Sequence, residues 1–207
     1  MKASSWLTAD ARKTFADAVR AIEARSSAEI VVTVRDRSAP YKHVHVAWGA
    51  LCAAFMLLFY VYYPMTFADD LAVPSVVVAF AAGLLLGSVD ALKRPFLSKR
   101  ERQQAVAVAA RAAFYDANVG ATKRRTGVLV YVSLLEQSIE VVPDTGVRVD
   151  AMGKGWTDAV AALQAEARSG AAPETLAKTL TKLGDALADA MPVTDDDVNE
   201  LPDEVIA

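Results

Sequence analysis

The chain has 207 residues, 54% of them hydrophobic, and a formal net charge of −3 at pH 7. It lacks the basic excess that indicates nucleic-acid binding. Its single cysteine, Cys52, excludes an internal disulfide and a cysteine-rich metal site. The apolar residues are concentrated between Val44 and Val89, so one strongly apolar segment interrupts an otherwise ordinary polar sequence.

The residues before this segment predict one helix and one strand. Thr8 is a suitable N-cap, and Phe15, Val19 and Ile22 recur on one helical face. Residues 29–34 are almost continuously apolar and β-branched, which is typical of a strand covered on both faces. The beginning is polar and periodic, so we expect no cleavable signal peptide.

Two uncharged apolar runs follow, from Val44 to Tyr63 and from Leu71 to Val89, joined by a short connector from Pro64 to Asp70. About 20 helical residues span the roughly 30 Å hydrocarbon core of a bilayer. Each run therefore predicts a transmembrane helix, and the connector makes the two helices an antiparallel hairpin. The alternative is a buried helical hairpin of a soluble protein, in which uncharged runs of this length are rare.

Small residues recur every fourth position in the second run, at Ser75, Ala79, Gly83 and Gly87. Such a ridge lets another helix approach closely. The partner is either the first helix or a second copy of the chain. The alternative is that glycine and alanine are simply common in membrane helices.

Lysine and arginine flank the hairpin on both sides, whereas the connector carries Asp69 and Asp70 and no base. The positive-inside rule places both soluble parts in the cytoplasm and the connector outside. The sequence therefore predicts a multi-pass protein of the cell inner (plasma) membrane with both termini cytoplasmic and the lipid bilayer as a partner. The flanking bases are Arg35, Arg37, Lys42, Lys93, Arg94, Lys99, Arg100 and Arg102.

After the hairpin, residues 98–101 fit a capping box that starts a helix ending near Tyr115. Strands are predicted over 127–132 and 139–142, and their short connection favours an antiparallel hairpin. Two helices with apolar stripes follow. The first carries its stripe from Trp156 to Ala167 and ends near Ser169, and the second starts at Pro173 and carries its stripe from Leu176 to Met191. The acidic residues after Pro192 predict a disordered tail.

The predicted organisation is one soluble domain interrupted by a membrane insertion, because neither flank alone has enough strands for a stable sheet. Its first part covers residues 1–43 and the hairpin 44–90. The remainder of the domain covers 91–192, and the acidic tail 193–207.

Three segments, Ala28 to Val32, Gly120 to Val132 and Ile139 to Val147, resemble the TPM-domain family. The similarity covers about residues 8–37 and 100–192, and the hairpin interrupts it as in a bacterial membrane-anchored subgroup. The resemblance implies an α/β sandwich with a small central β-sheet flanked by helices. Some relatives are acid phosphatases, some bind divalent cations, and others are accessory proteins of membrane complexes.

The best candidate site is acidic. Asp116 and Asn118 end a helix, and Asp144 ends a strand; Glu29, which starts a strand, is a weaker candidate. If these side chains converge, their oxygens would suit Ca²⁺ or Mg²⁺, and Asp116 and Asp144 are the candidate catalytic residues of a metal-dependent phosphatase. The alternative is turn chemistry, since Asp and Asn are favoured at helix ends and turns.

Two further groups of residues have weaker interpretations. Lys123, Arg124 and Arg125 could hold a phosphate or a lipid headgroup, or could simply cover a solvated loop. His43 and His45 lie two residues apart at the membrane edge, and as metal ligands they would need carboxylate support that is absent nearby in the sequence.

No strong catalytic motif is present, neither a phosphate-binding glycine loop nor a zinc-binding helix nor a nucleophile elbow. The leading hypothesis is therefore a non-catalytic accessory protein that assists the assembly or maintenance of a membrane complex, through another membrane protein or self-association. The alternative hypothesis is a divalent-cation-dependent phosphatase.

Overall fold

The computed structural model describes residues 2–63, 69–194, 199–202 and 205–206. The chain divides into two compact units, one of Met1–Ala39 together with Gln103–Ala207 and the other of Pro40–Arg102. Helices surround a small sheet in the first unit, and a helical hairpin forms most of the second.

The elements follow the predicted order, with three short helices that the sequence did not predict. The strands are β1 Glu29–Arg35, β2 Gly127–Ser133 and β3 Ser138–Pro143. The helices are α1 Ala3–Trp6, α2 Ala9–Glu23, α3 Lys42–Tyr62, α4 Asp69–Leu86, α5 Asp90–Lys93, α6 Lys99–Asp116, α7 Val149–Met152, α8 Lys154–Ser169 and α9 Pro173–Ala190. Short 3₁₀ helices cover Arg94–Phe96 and Val119–Ala121.

Local capping signals explain where the predicted helices begin. The Thr8 side chain accepts a hydrogen bond from the backbone N–H of Ala11, which confirms the predicted N-cap of α2. The Ser98 hydroxyl accepts from the N–H of Glu101 in the first turn of α6. The capping residues therefore satisfy backbone donors that have no partner inside the helix.

The sheet has the order β1-β2-β3, and β1 runs parallel to β2. Strand β3 pairs antiparallel with β2, which confirms the predicted β-hairpin. Because β1 precedes the apolar hairpin and β2 follows it, the two flanks share one sheet. A long connection is what parallel neighbours require, and here it contains the whole second unit and α6.

Strand alternation gives the sheet two different faces. The even-numbered side chains of β1 and β2 join α2, α8 and α9 in the larger core, which contains the predicted apolar stripes of α8 and α9. The odd-numbered side chains pack with α6 in a smaller core. The first face is wholly apolar in the two parallel strands, whereas the α6 face is polar at both ends.

The predicted disordered acidic tail is corrected for the part that the structure describes. Leu201 and Val205 are buried, and Ile206 forms a parallel β-bridge with Thr33. The acidic composition of the segment gave no indication that these three apolar side chains would be buried or half-buried. Asp195, Asp196, Asp197, Asp203 and Glu204 lie outside the described residues.

In the second unit α3 and α4 pack against each other along the predicted small-residue ridge. A Cβ on Gly83 would lie 2.4 Å from the Trp48 carbonyl oxygen, and one on Gly87 would lie 2.6 Å from the His45 Cα. The Ser75 hydroxyl donates to the Tyr60 hydroxyl at 2.9 Å. Within the chain the ridge therefore faces the first helix.

The second apolar helix ends earlier than predicted. Helix α4 stops at Leu86, and the chain turns before α5, so Val89 lies outside the helix. The Trp48 indole N–H donates to the Leu92 carbonyl oxygen at 3.1 Å, and its ring packs against Phe96. These contacts attach the turned segment to α3. Most of the connector, residues 64–68, lies outside the described residues.

Within the described residues one helix, α3, is long and apolar enough to cross a membrane. Helix α4 reaches that standard only when counted with Asp90–Phe96, from which it is bent by 102°. A core helix of a soluble protein can have the same composition, but such a helix is mostly buried. In α3 only 11% of the apolar 18-residue stretch is buried. The transmembrane hairpin stays a prediction.

Candidate functional site

Two of the predicted site residues, Glu29 and Asp144, lie at the amino end of the two parallel strands. Glu29 pairs with Gly127 across β1 and β2, and the N–H of Asp144 donates to the Gly127 carbonyl oxygen. Residues in one row of a sheet point to the same face, so Glu29 and Asp144 both lie on the α6 side. Ligands in open α/β sheets bind at the opposite, carboxyl end of the strands.

Asp144 is a buried carboxylate with a cationic partner. Its Oδ1 accepts from the Thr145 N–H at 2.7 Å. Its Oδ2 lies 3.0 Å from Arg125 Nε in an ion pair, and it accepts no hydrogen bond from the residues that the structure describes. The Asp144 side chain is 3% exposed and that of Arg125 is 55% exposed. Arg125 thus supplies the charge that makes the buried carboxylate tolerable.

Two hydrogen bonds, one from the side chain of Arg125 and one to its backbone, hold the residue beside this carboxylate. Arg125 Nη1 donates to the Gly120 carbonyl oxygen at 2.7 Å. The Gly146 N–H donates to the Arg125 carbonyl oxygen at 2.8 Å, and a Cβ on Gly146 would lie 2.1 Å from the Arg124 carbonyl oxygen. Only glycine permits this contact between the loop before β2 and the loop after β3.

Among the described residues no hydrogen bond or ion pair joins Asp116 or Asn118 to Asp144, so the structure brings forward no contact in favour of their convergence. Asp116 is the exposed last residue of α6, and Asn118 is exposed with a left-handed backbone of φ 51°. Their positions match the turn chemistry that was the alternative interpretation. In the part of the chain that the structure describes, no group of three or more His, Cys, Asp or Glu side chains could hold a metal ion.

Glu29 is separated from Asp144 by the middle strand and by Val119. Two strand spacings place the two residues roughly 9.5 Å apart. A Cβ on Gly127 would lie 2.2 Å from the Val119 carbonyl oxygen, so Val119 occupies the space between them. The Glu29 carboxylate instead accepts a hydrogen bond from the Leu201 N–H. These residues do not fit a shared Ca²⁺ or Mg²⁺ site, and we derive no metal chemistry from them.

The three basic residues of the loop before β2 have separate partners. The Lys123 N–H donates to the Glu200 carboxylate at 2.8 Å, and Arg124 Nη2 donates to the Thr194 hydroxyl at 3.0 Å. Arg125 pairs with Asp144. Two of the three therefore contact residues beyond α9, which the sequence did not predict.

His43 has a carboxylate neighbour, Glu101, that is absent from the nearby sequence. His43 Nε2 lies 3.1 Å from Glu101 Oε1, and both side chains are exposed. The two residues are 58 positions apart in the sequence. They lie close together because α3 and α4 form an antiparallel hairpin, so the chain after α4 lies near the start of α3. A pair of ligands is still too few for a zinc site.

A polar network that the sequence did not predict lies at the carboxyl end of β1 and β2. The Ser38 hydroxyl donates to the Ser133 hydroxyl at 2.9 Å and lies 3.3 Å from the Tyr131 hydroxyl. Ser133 donates to the Glu136 carboxylate, which also accepts from the Ser38 N–H. The signal was present in Ser133 and Glu136, which lie directly at the end of an apolar strand.

Burial is the main influence on the pKa of the Tyr131 phenol of this network. Burial raises the pKa of Tyr131 above its ordinary value of 10.0; the hydrogen bond with Ser38 lowers it, the Glu136 carboxylate raises it, and Arg35 lowers it. Hydroxyl groups and one carboxylate satisfy each other here, so the network ties the end of β1 to the β2–β3 turn. It contains no histidine that could act as a base for a serine.

Comparisons with known proteins support the fold and no more. No protein-family model matches the chain, and no curated protein matches it. The NMR structure of the BA42 protein from the psychrophilic bacterium Bizionia argentinensis is similar, with a TM-score of 0.59 over 99% of this chain and 97% of that one. The sequence identity is 21%, so the likeness concerns the α/β fold with its small sheet flanked by helices.

Proposed function

We propose that the chain is a membrane-anchored accessory protein of the TPM-domain family, in which a small α/β domain assists the assembly or maintenance of another membrane protein. The observation that carries this proposal is the exposed apolar surface of α3 and α4. The family assignment rests on the sequence resemblance.

Helices α3 and α4 expose many large apolar side chains. Phe55, Val61, Val73 and Leu85 are each 72–73% exposed. Soluble monomers seldom expose contiguous apolar patches beyond a few hundred Å², because each Å² left in water costs about 25 cal/mol. Lipid, or an equivalent apolar partner, is the solvent that this surface fits.

The helix lengths support a spanning arrangement. The 21 residues of α3 and the 18 residues of α4 correspond to about 32 and 27 Å at 1.5 Å per residue. Both values are close to the roughly 30 Å of the hydrocarbon core. The basic residues on both sides of the hairpin favour an inner-membrane topology in which both soluble flanks are cytoplasmic.

Membrane extraction and labelling test the anchor and its topology. The full chain should stay in the membrane pellet after an alkaline carbonate wash. In a Cys52→Ser background, an impermeant maleimide should label Ala68→Cys in spheroplasts and leave the matched control Ser4→Cys unlabelled until lysis. Release by carbonate, or labelling of only the second variant, would overturn the anchor or its orientation.

Recovery of a partner tests the accessory role. Cross-linking in native membranes followed by purification in two mild detergents should recover a stoichiometric second membrane protein or a homo-oligomer. A clean monomer in both detergents, after cross-linking, would contradict the proposal.

The phosphatase hypothesis has no structural observation in its favour, because Asp144 is neutralised by Arg125 and Asp116 points to solvent at a helix end. Assay on a generic phosphate ester with Mg²⁺ or Ca²⁺, comparing wild type with Asp144→Ala, decides the matter. Metal-dependent turnover that disappears in the variant would replace the accessory role with an enzymatic one.

A further inference from the structure

Strand β1 is an edge strand whose outer side is covered by the chain itself. The Ile206 N–H donates to the Val32 carbonyl oxygen at 3.0 Å, and the Val34 N–H donates to the Ile206 carbonyl oxygen at 2.8 Å. This pattern is that of a parallel strand added beside Thr33. Residues 205–206 therefore add a single parallel β-bridge to the outer edge of the three-stranded sheet.

The added segment places its side chains on both sides of the sheet. Val205 is buried in the larger core, on the side of α2, α8 and α9. Ile206 packs against the smaller core below α6, together with Leu201. Successive side chains of a strand point to opposite faces of the sheet. The β1 edge therefore offers one apolar position on each face, one filled by Val205 and the other by Ile206.

Polar contacts fix the direction of the segment as it approaches the edge. Glu200 accepts from the Lys123 N–H, and the Leu201 N–H donates to the Glu29 carboxylate. Arg12 Nη1 donates to the Val205 carbonyl oxygen at 3.0 Å. The basic loop before β2 thus contacts Glu200, and Arg12 contacts the backbone of the segment that pairs with β1.

We propose that this β1 edge is a strand-docking site for a partner protein, with residues 199–202 and 205–206 forming the described part of the occupant that the chain itself supplies. The partner segment would be extended, parallel to β1, and would carry two adjacent apolar residues like Val205 and Ile206, with an acidic residue several positions earlier like Glu200. Main-chain pairing gives such sites their affinity, and apolar positions for alternate side chains give them their selectivity. The inference rests on the proposed accessory function and names the surface through which it acts.

The internal occupant is suited to exchange because, among the described residues, it pairs with β1 at Thr33, whereas a partner segment can pair along all seven residues of β1. The tether holds the internal segment at an effective concentration of about 1 mM. For a free peptide whose Kd at the open edge is about 100 µM, competition from the internal segment therefore weakens the apparent binding about tenfold. A partner segment that makes a longer ladder overcomes this preference. Loss of the internal contact should therefore strengthen binding of a free strand about tenfold.

A labelled peptide tests the site on the detergent-solubilised full chain. The probe carries the sequence of residues 199–206, Asn-Glu-Leu-Pro-Asp-Glu-Val-Ile, and its control has proline in place of the final isoleucine, which removes the donor to Val32. The release variant Val205→Asp/Ile206→Pro should bind the probe about tenfold more tightly than wild type, and neither protein should bind the control peptide. Equal binding of the two peptides would overturn the proposal.

A reversible lock keeps the test decisive if the release variant does not fold. Thr33 Oγ1 is buried and has no hydrogen-bond partner among the described residues, so Thr33→Cys/Ile206→Cys in a Cys52→Ser background is a mild change. The oxidised protein should exclude the probe, and reduction should restore wild-type binding. Probe binding that ignores the lock would sink the inference, whereas failure to recover a membrane partner would affect only the proposed function.

Discussion

The Arg125–Asp144 pair should respond asymmetrically when either partner is neutralised. Asp144 is 3% exposed and Arg125 is 55% exposed. Arg125→Gln leaves a buried carboxylate whose Oδ2 accepts no hydrogen bond from any described residue. Asp144→Asn leaves a guanidinium that water can solvate. We expect the arginine replacement to cost more free energy of unfolding than the aspartate replacement.

The magnitudes follow from the two environments. An uncompensated buried charge costs about 3–5 kcal/mol when its partner is also buried, and the exposure of Arg125 reduces this to about 2 kcal/mol. Asp144→Asn keeps an acceptor for the Thr145 N–H but loses its charge, which amounts to about 1 kcal/mol. The double variant should cost less than the sum by about 1 kcal/mol.

Chemical unfolding in mild detergent measures these values. Trp48 belongs to the hairpin, so a Trp48→Phe background leaves Trp6 and Trp156 in the core of the α/β unit as fluorescent reporters. Glutamine at position 125 keeps the backbone strain of φ 58° equal to that of arginine. The matched control is Lys123→Gln, where the side chain is 84% exposed and the expected change is below about 0.5 kcal/mol. Equal costs for the two single variants, or strict additivity, would refute the argument.

Three further outcomes are expected. Gly83→Leu should part the hairpin and speed the reaction of Cys52 with a thiol-specific dye in detergent, whereas Ala82→Leu on the exposed side of the same helix should leave the rate unchanged; equal rates would contradict the packing. Burial raises the pKa of Glu140 above its ordinary value of 4.5, so the folded state binds a proton more tightly than the unfolded state, and stability falls as the pH rises through that raised pKa. Glu140→Gln should therefore be more stable than wild type at pH 8 and should gain nothing at pH 4, as measured by chemical unfolding, and an identical pH profile would count against this cause. Thr8→Ala should lower the unfolding free energy by about 1 kcal/mol through loss of the α2 cap, and a neutral effect in thermal unfolding would contradict the cap.

Signals that act over a few residues predicted the elements well. The cap at Thr8, the β-branched run of β1 and the leucine stripe of α9 each report a local conformation or one buried face, and each is borne out. The β2–β3 hairpin followed from a short connection for the same reason. Helix α1 and the end of α4 were missed because no cap or apolar period marks them.

The candidate site was predicted less well because it depends on which strand ends meet. Asp116, Asn118, Asp144 and Glu29 are all chemically suitable oxygen donors. The register Glu29–Gly127–Asp144 places Glu29 and Asp144 at the amino end of the parallel pair, and Val119 lies between them. Composition alone could not reveal that Arg125 already neutralises Asp144.

By itself the sequence determined where helices and strands form and that residues 44–89 carry an unusual excess of apolar surface, because periodicity, capping and hydropathy are properties of neighbouring residues. Only the tertiary structure decided that β1 and β2 are parallel partners, that the small-residue ridge faces α3, and that residues 205–206 cover the β1 edge. Those contacts join positions far apart in the chain, and their free energy depends on the burial and hydrogen bonding that each side chain finds only after the whole domain has assembled.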